Sequence, residues 1–231
     1  VPAVAKAGRV AYVLEDGDFA RLTRGKLELF DGALRPVVRE AVALEEEEVS
    51  PGKGEFRHFM RKEISEVPAA VLNSLPDLSK PEFSGVCKVL CQTKYLHIVA
   101  CGTAYHSGLC MKHAAEKFAR VPTEVFVASE YRYADPIVPP GTLTIAVSQS
   151  GETADTLAAA ALAKSRGSVL IAVTNVAHSS LTRVADFVLP THAGREIAVA
   201  ATKSFHAQHA VLYALAVQLA QTAKCCAPPL A

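Results

Sequence analysis

The chain has 231 residues, half of them apolar and a fifth charged, which is material for one large domain or for one domain and part of a second. A net charge of +1 and the lack of any basic block exclude a nucleic-acid surface, because affinity for a phosphate backbone rests on clustered Lys and Arg. No apolar run reaches the roughly 20 residues that a membrane span needs; Ala210 to Leu219 comes nearest, with His209 beside it and Gln218 inside it.

The first residues, Val1 to Lys6, have no initiator Met and no basic segment followed by an apolar one, so they are not read as a signal peptide but as a chain entered partway through. From Arg9 to Val38 short β-prone runs alternate with Asp16-Gly17, Arg24-Gly25 and Asp31-Gly32. Such pairs favour hairpins because Gly accepts a positive φ, and an antiparallel meander of about four strands is expected. Residues 41–55 read as a linker, with the acidic run Glu45 to Glu48 as a solvated stretch. Phe56 to Leu75 is helical in pattern, with Phe56, Phe59, Met60, Ile64 and Val67 on the expected buried face and a kink or a short break at Pro68.

The period then changes to α/β alternation. Strands are expected at Tyr95 to Ala100, Thr123 to Val127, Leu143 to Val147, Val169 to Val173 and Phe187 to Leu189. Helices are expected at Tyr105 to Ala119, Ala154 to Arg166 with Gly167 as its stop, Ser179 to Val184, and Thr202 to Ala223. The fold class is therefore α/β: a doubly wound, parallel, five-stranded sheet over residues 56–224, preceded by a short antiparallel β meander. Six cysteines occur, none in a Cys-x-x-Cys pair, and the adjacent Cys225 and Cys226 make a poor disulfide scaffold. A reducing, cytoplasmic setting is expected.

In such sheets ligands bind beyond the carboxyl ends of the strands, where the strand order reverses. Three loops stand in that position: Cys101 to Ala104, Ser148 to Thr153, and Ala193 to Thr202. The second carries the most chemistry. A buried strand delivers Ser148, Gln149, Ser150, Gly151, Glu152 and Thr153 onto a helix N-terminus, where unpaired amides and the helix dipole favour an anion. Three hydroxyls can donate to phosphate oxygens, and the loop holds no Lys of the nucleotide-binding type, so a phosphate monoester on a small metabolite suits it. The same loop also reads as a plain helix cap, with Ser150 as N-cap and Thr153 beside it.

Other candidates carry less. No Gly-x-Ser-x-Gly elbow surrounds Ser150, so it is not read as a nucleophile. His206 and His209, three apart, read as packing or surface residues before metal ligands. Lys203 reads as solvated or as part of an ion pair, and Cys101 as a small packing residue. No metal or cofactor is expected.

Ala100-Cys101-Gly102-Thr103, Ala128-Ser129-Glu130, the nine residues Ser148 to Thr156 and Val199-Ala200-Ala201-Thr202-Lys203 together resemble the first sugar isomerase (SIS) domain of the glutamine–fructose-6-phosphate aminotransferases. The segment His58 to Ile64 is similar to the stretch preceding that domain, and Gly8 to Arg39 to the last strands of the family's glutaminase domain. The resemblance implies a flavodoxin-like SIS fold over residues 56–224 and a glutaminase remnant over residues 1–40. It implies fructose 6-phosphate and glucosamine 6-phosphate as ligands and SIS domains that pair as a homodimer. By position, Thr103, Ser148, Gln149, Ser150 and Thr153 would hold the phosphate and nearby hydroxyls, with Val199 near the sugar through its backbone. Ala104 and Ala201 stand where the family usually has Ser. The family's catalytic Cys and second SIS domain would lie outside these residues, so none is assigned a catalytic role and the fragment alone is expected to be inactive. A stand-alone phosphosugar isomerase and a phosphosugar sensor are the alternatives. The strands before residue 40 weigh against both.

Overall fold

The computed structural model describes residues 10–43 and 52–226. Val1 to Lys6 and the acidic run Glu45 to Glu48 lie outside the described residues. Contacts within the chain group it into two units, Val1–Gly54 and Glu55–Ala231.

The first unit is built from β1 (Val10–Tyr12), β2 (Phe19–Thr23), β3 (Lys26–Phe30), β4 (Pro36–Val37) and β5 (Ala41–Ala43). Only β2, β3 and β4 form the antiparallel meander. β1 pairs instead with β5, Val10 opposite Ala43, and β5 lies where a linker was expected. An ion pair accounts for the difference. Arg39 Nε and Nη2 donate to the Asp18 carboxylate at 2.7 and 3.0 Å, and Arg39 Nη2 lies 2.8 Å from Glu15. The residues just before β5 are thereby held to the loop just after β1, and the two strands meet.

The second unit contains a five-stranded parallel sheet: β6 (Tyr95–Ala100), β7 (Thr123–Val127), β8 (Thr142–Ser148), β9 (Val169–Thr174) and β10 (Phe187–Pro190), in the order β10-β9-β8-β6-β7. The chain runs outward from β6 to β7, returns to the other side of β6 at β8, and continues to β10. The strand order reverses between β6 and β8, as in flavodoxin-like sheets.

Seven helices join the strands among the described residues: α1 (Phe59–Ser74), α2 (Ser84–Gln92), α3 (Thr103–Ala114), α4 (Ala128–Tyr131), α5 (Ala154–Ser165), α6 (Ser180–Val184) and α7 (Lys203–Cys226). Alternate strand residues face opposite layers. Leu96, Ile98, Leu143, Ile145, Ile171 and Val173 pack under α2, α3 and α7, whereas Val99, Ala146, Leu170 and Ala172 pack under α4, α5 and α6. All seven residues of β8 are buried, the polar Thr142, Thr144 and Ser148 with the apolar ones, as a central parallel strand covered on both faces requires. Each fully buried Leu, Ile or Val contributes about 1.5–3 kcal/mol relative to exposure.

Several local expectations are corrected. α1 runs unbroken as helix through Pro68 and buries Glu63, Ala70 and Ser74, leaving Met60 and Ile64 exposed. α2, where no element was expected from the sequence, is held by Val86 and Leu90, one turn apart. α3 starts at Thr103, earlier than expected, and passes into a π-helical turn at Ala115–Ala119, ended by Arg120 in the left-handed region. Cys87, Cys101 and Cys110 are free thiols, but Cys91 is disulfide-bonded, against the expectation of wholly reduced cysteines.

Candidate functional site

β6 and β8 are neighbours with Ala100 opposite Val147, so the loops that leave them emerge side by side at the strand-order reversal. The first turns through Gly102, at φ 56° and ψ −131°, a conformation open to Gly and closed to residues with a Cβ. Thr103 follows as the first residue of α3 and is exposed. Cys101 is half-buried in the layer beneath α5, and Thr156 Oγ1 of α5 donates to its sulfur at 3.8 Å. The first and second loops are thus tied together at their bases, and the packing role expected for Cys101 holds.

The second loop brings Ser148, Gln149, Ser150 and Thr153 into one turn. Buried Ser148 Oγ accepts the Gly151 amide at 3.0 Å and pairs with Thr153 Oγ1 at 2.9 Å. Ser150 Oγ accepts the Glu152 amide at 3.2 Å, which leaves its own proton available to donate. Thr153, not Ser150, occupies the N-cap position of α5, and its side chain makes no cap bond. The cap reading of Ser150 is therefore incorrect.

Three acceptors of this turn are engaged elsewhere. Gln149 O accepts the Asn175 amide at 3.1 Å, Gly151 O accepts the Leu181 amide at 3.0 Å, and Glu152 Oε1 accepts the Ser180 amide at 2.7 Å. With these two carbonyls and the carboxylate bound to the loop after β9 and to α6, the turn keeps the Ser150 proton and one proton of the Ser148–Thr153 pair as donors at a helix N-terminus, which suits an anion. Gly151 permits the geometry twice over. Its φ is 65°, and a Cβ there would lie 2.1 Å from Ser179 Oγ.

The third loop is positioned by groups the sequence analysis did not single out. Asn175 Oδ1 accepts the Ala193 amide at 3.0 Å while its Nδ2 donates to Gly194 O at 3.0 Å. Glu196 accepts the amides of Thr202 and Ser204 at 2.9 and 3.2 Å and so caps α7. Glu63, 2% exposed, accepts the amides of Ile197 and Ala198. Val199 is fully exposed on this loop, and no hydrogen bond among the described residues joins it to the Ser148–Thr153 turn. The spacing of Glu63, Ala70 and Ser74 on α1 was the available signal; it was missed because the buried face was assigned from apolar residues alone.

Lys203 is buried and donates to Glu66 Oε2 at 2.7 Å, so of its two expected states the ion pair is realised. Burial raises the Glu66 carboxyl, but hydrogen bonds from Lys203 and Lys62 outweigh it and hold the group below the usual carboxylate range. His206 is exposed, with Nδ1 2.9 Å from Thr202 O, while His209 packs between Phe205 and Tyr213 and is pushed down by burial. Among the described residues no cluster of His, Cys, Asp or Glu could hold a metal, and no helix is long and apolar enough to cross a membrane.

The family model described as the SIS domain matches residues 90–218, which takes in all five parallel strands and all three loops. The chain belongs to the SIS domain family. Within it, the chain is 42% identical over 235 residues to a glutamine–fructose-6-phosphate aminotransferase (isomerizing) of Clostridium tetani, an alignment covering 96% of this chain and 38% of that protein. It is 45% identical over 218 residues to the enzyme of the same name from Zymomonas mobilis, covering 92% of this chain and 36% of that protein. The chain therefore spans little more than a third of the length of these relatives. Among solved structures, the C-terminal domain of glucosamine-fructose-6-phosphate aminotransferase from Francisella tularensis superposes with a TM-score of 0.71 at 40% identity. That match covers 75% of this chain and 51% of the other.

Proposed function

We propose that this SIS domain is the phosphosugar-binding part of a glutamine-dependent fructose-6-phosphate aminotransferase that makes glucosamine 6-phosphate. The observation that carries the reading is the donor-rich turn Ser148–Thr153, set on the N-terminus of α5 at the strand-order reversal. In this reading Ser150 and the free hydroxyl proton of the Ser148–Thr153 pair donate to the phosphate, and the helix dipole favours its charge. Gln149 and Thr103, on adjacent loops, take neighbouring phosphate or hydroxyl oxygens, and the backbone at Val199 borders the sugar. Residues 1–40 are read as glutaminase-derived, 41–55 as the connection and 56–224 as the SIS domain. Pairing of SIS domains as a homodimer and a cytoplasmic setting belong to the same proposal.

The likeness to the aminotransferases runs through 96% of the chain, including the strands of the first unit, and this favours an aminotransferase over a stand-alone isomerase or a sensor. Thermal unfolding tests the ligand assignment. A ligand that binds only the folded state stabilises it by about 2.7 kcal/mol at a hundredfold excess over Kd. Fructose 6-phosphate is expected to raise the Tm, and fructose at equal concentration to leave it unchanged. Equal shifts with both, or with neither, would remove the phosphate from the account.

A further inference from the structure

Helix α1 presents three polar groups at helical spacing, and all three close on one distant segment of chain. Glu63 Oε1 accepts the amides of Ile197 at 2.6 Å and Ala198 at 3.1 Å. Glu66 Oε2, one turn on, accepts Nζ of Lys203 at 2.7 Å. Ser74 Oγ, three turns from Glu63, accepts the amide of His192 at 2.9 Å. Residues three, four, seven and eleven apart share a helix face, so one side of α1 fastens both ends and the middle of residues 192–203.

The partners are 134 and 137 residues away in sequence for Glu63 and Glu66. Glu63 and Lys203 are also 2% and 5% exposed. A buried charge left without its partners is strongly unfavourable, so these bonds select a single path for the segment. On its other side the same segment is joined to the phosphate turn. Asn175 holds Ala193 and Gly194 through its side chain and Gln149 O through its own amide.

We propose that Glu63 and Glu66 are positioning residues for ligand binding: from α1 they hold residues 197–203 as a fixed wall beside the Ser148–Thr153 turn, against the sugar portion of the ligand. The inference rests on the phosphosugar reading above. It separates two parts of the site by origin. The phosphate is held by the β8–α5 turn, which α1 does not touch through any of these bonds, whereas the sugar is bordered by a loop whose path α1 determines.

The test is an NMR titration of the 231-residue chain and its Glu63→Ala, Glu63→Gln and Glu66→Gln variants, with fructose 6-phosphate and, separately, inorganic phosphate. Hydrogen exchange of the Ile197 and Ala198 amides is measured on the same samples. Glu63→Ala is expected to speed exchange at both amides and to weaken fructose 6-phosphate about tenfold, with inorganic phosphate unchanged within about twofold. Glu63→Gln, which keeps an acceptor oxygen, is expected to recover most of that loss. If Glu63→Ala does not fold, Glu66→Gln carries the same comparison. Equal weakening of both probes would mean a general structural role and would overturn the inference. So would unchanged fructose 6-phosphate binding alongside accelerated exchange. A wild-type chain that binds neither probe overturns the phosphosugar reading and this inference with it; a binding wild type with indistinguishable variants overturns this inference alone.

Discussion

Thr153 stands at the N-cap position of α5, yet its hydroxyl lies 2.9 Å from Ser148 Oγ and caps no helix amide. A residue type favoured at that position for one reason is here turned to another use, toward the hydroxyl at the end of β8. Thr153→Ala is expected to cost about 1 kcal/mol in urea unfolding, the worth of one ordinary hydrogen bond, and to weaken fructose 6-phosphate about tenfold. A loss of stability without a loss of affinity would return Thr153 to a structural role.

Gly151 is constrained from two directions. Its positive φ disfavours any side chain, and the site of a Cβ is already occupied by Ser179 Oγ at 2.1 Å. Gly151→Ala is expected to destabilise the chain by about 2 kcal/mol or more, since strain and overpacking act together. Gly151→Ala combined with Ser179→Gly should recover part of this, leaving the backbone strain. Urea midpoints within experimental error of wild type for the single variant would contradict the geometry.

Acid should weaken the fold in a particular window. His97 on β6 is pushed below the ordinary histidine value of about 6.5 by burial, which outweighs the opposing charge of Glu124. His209 is shifted the same way, by burial and by His206. The folded state thus binds fewer protons than the unfolded state below about pH 6.5. The stability from these neutral rings is fully present above that value and is lost as pH falls from there through the folded pKa values. The Tm is expected to be level from pH 8 to 7 and to decline toward pH 5, and His97→Gln should make the decline shallower. Superimposable profiles for the two proteins would exclude His97 as a source.

The sheet was legible because its central strands are covered on both faces, and runs such as Leu143 to Val147 or Val169 to Val173 have no other good home in a chain of this composition. The phosphate turn was legible because its residue types and their spacing are local. What escaped notice depends on partners far away in sequence. β1 departs from the meander because Arg39 reaches Asp18 and Glu15, and the face of α1 is set by Glu63 meeting Ile197 and Ala198. A periodic count of apolar residues assigns Met60 and Ile64 to the core, since it gives no weight to a carboxylate that becomes buried only when two distant amides arrive. Lys203 illustrates the same limit. Its ion pair could be named as one possibility, but its partner, Glu66, could not.

Calorimetric titration of the wild-type chain and of Ser150→Ala with fructose 6-phosphate asks whether this turn holds the phosphate. Ser150 Oγ already accepts the Glu152 amide, so the proton it has left is the one a phosphate oxygen would take. A hydrogen bond to a charged group is worth roughly 1.5–3 kcal/mol, and Ser150→Ala is expected to bind about tenfold more weakly or worse. Identical binding curves for the two proteins would show that the Ser148–Thr153 turn does not hold the phosphate.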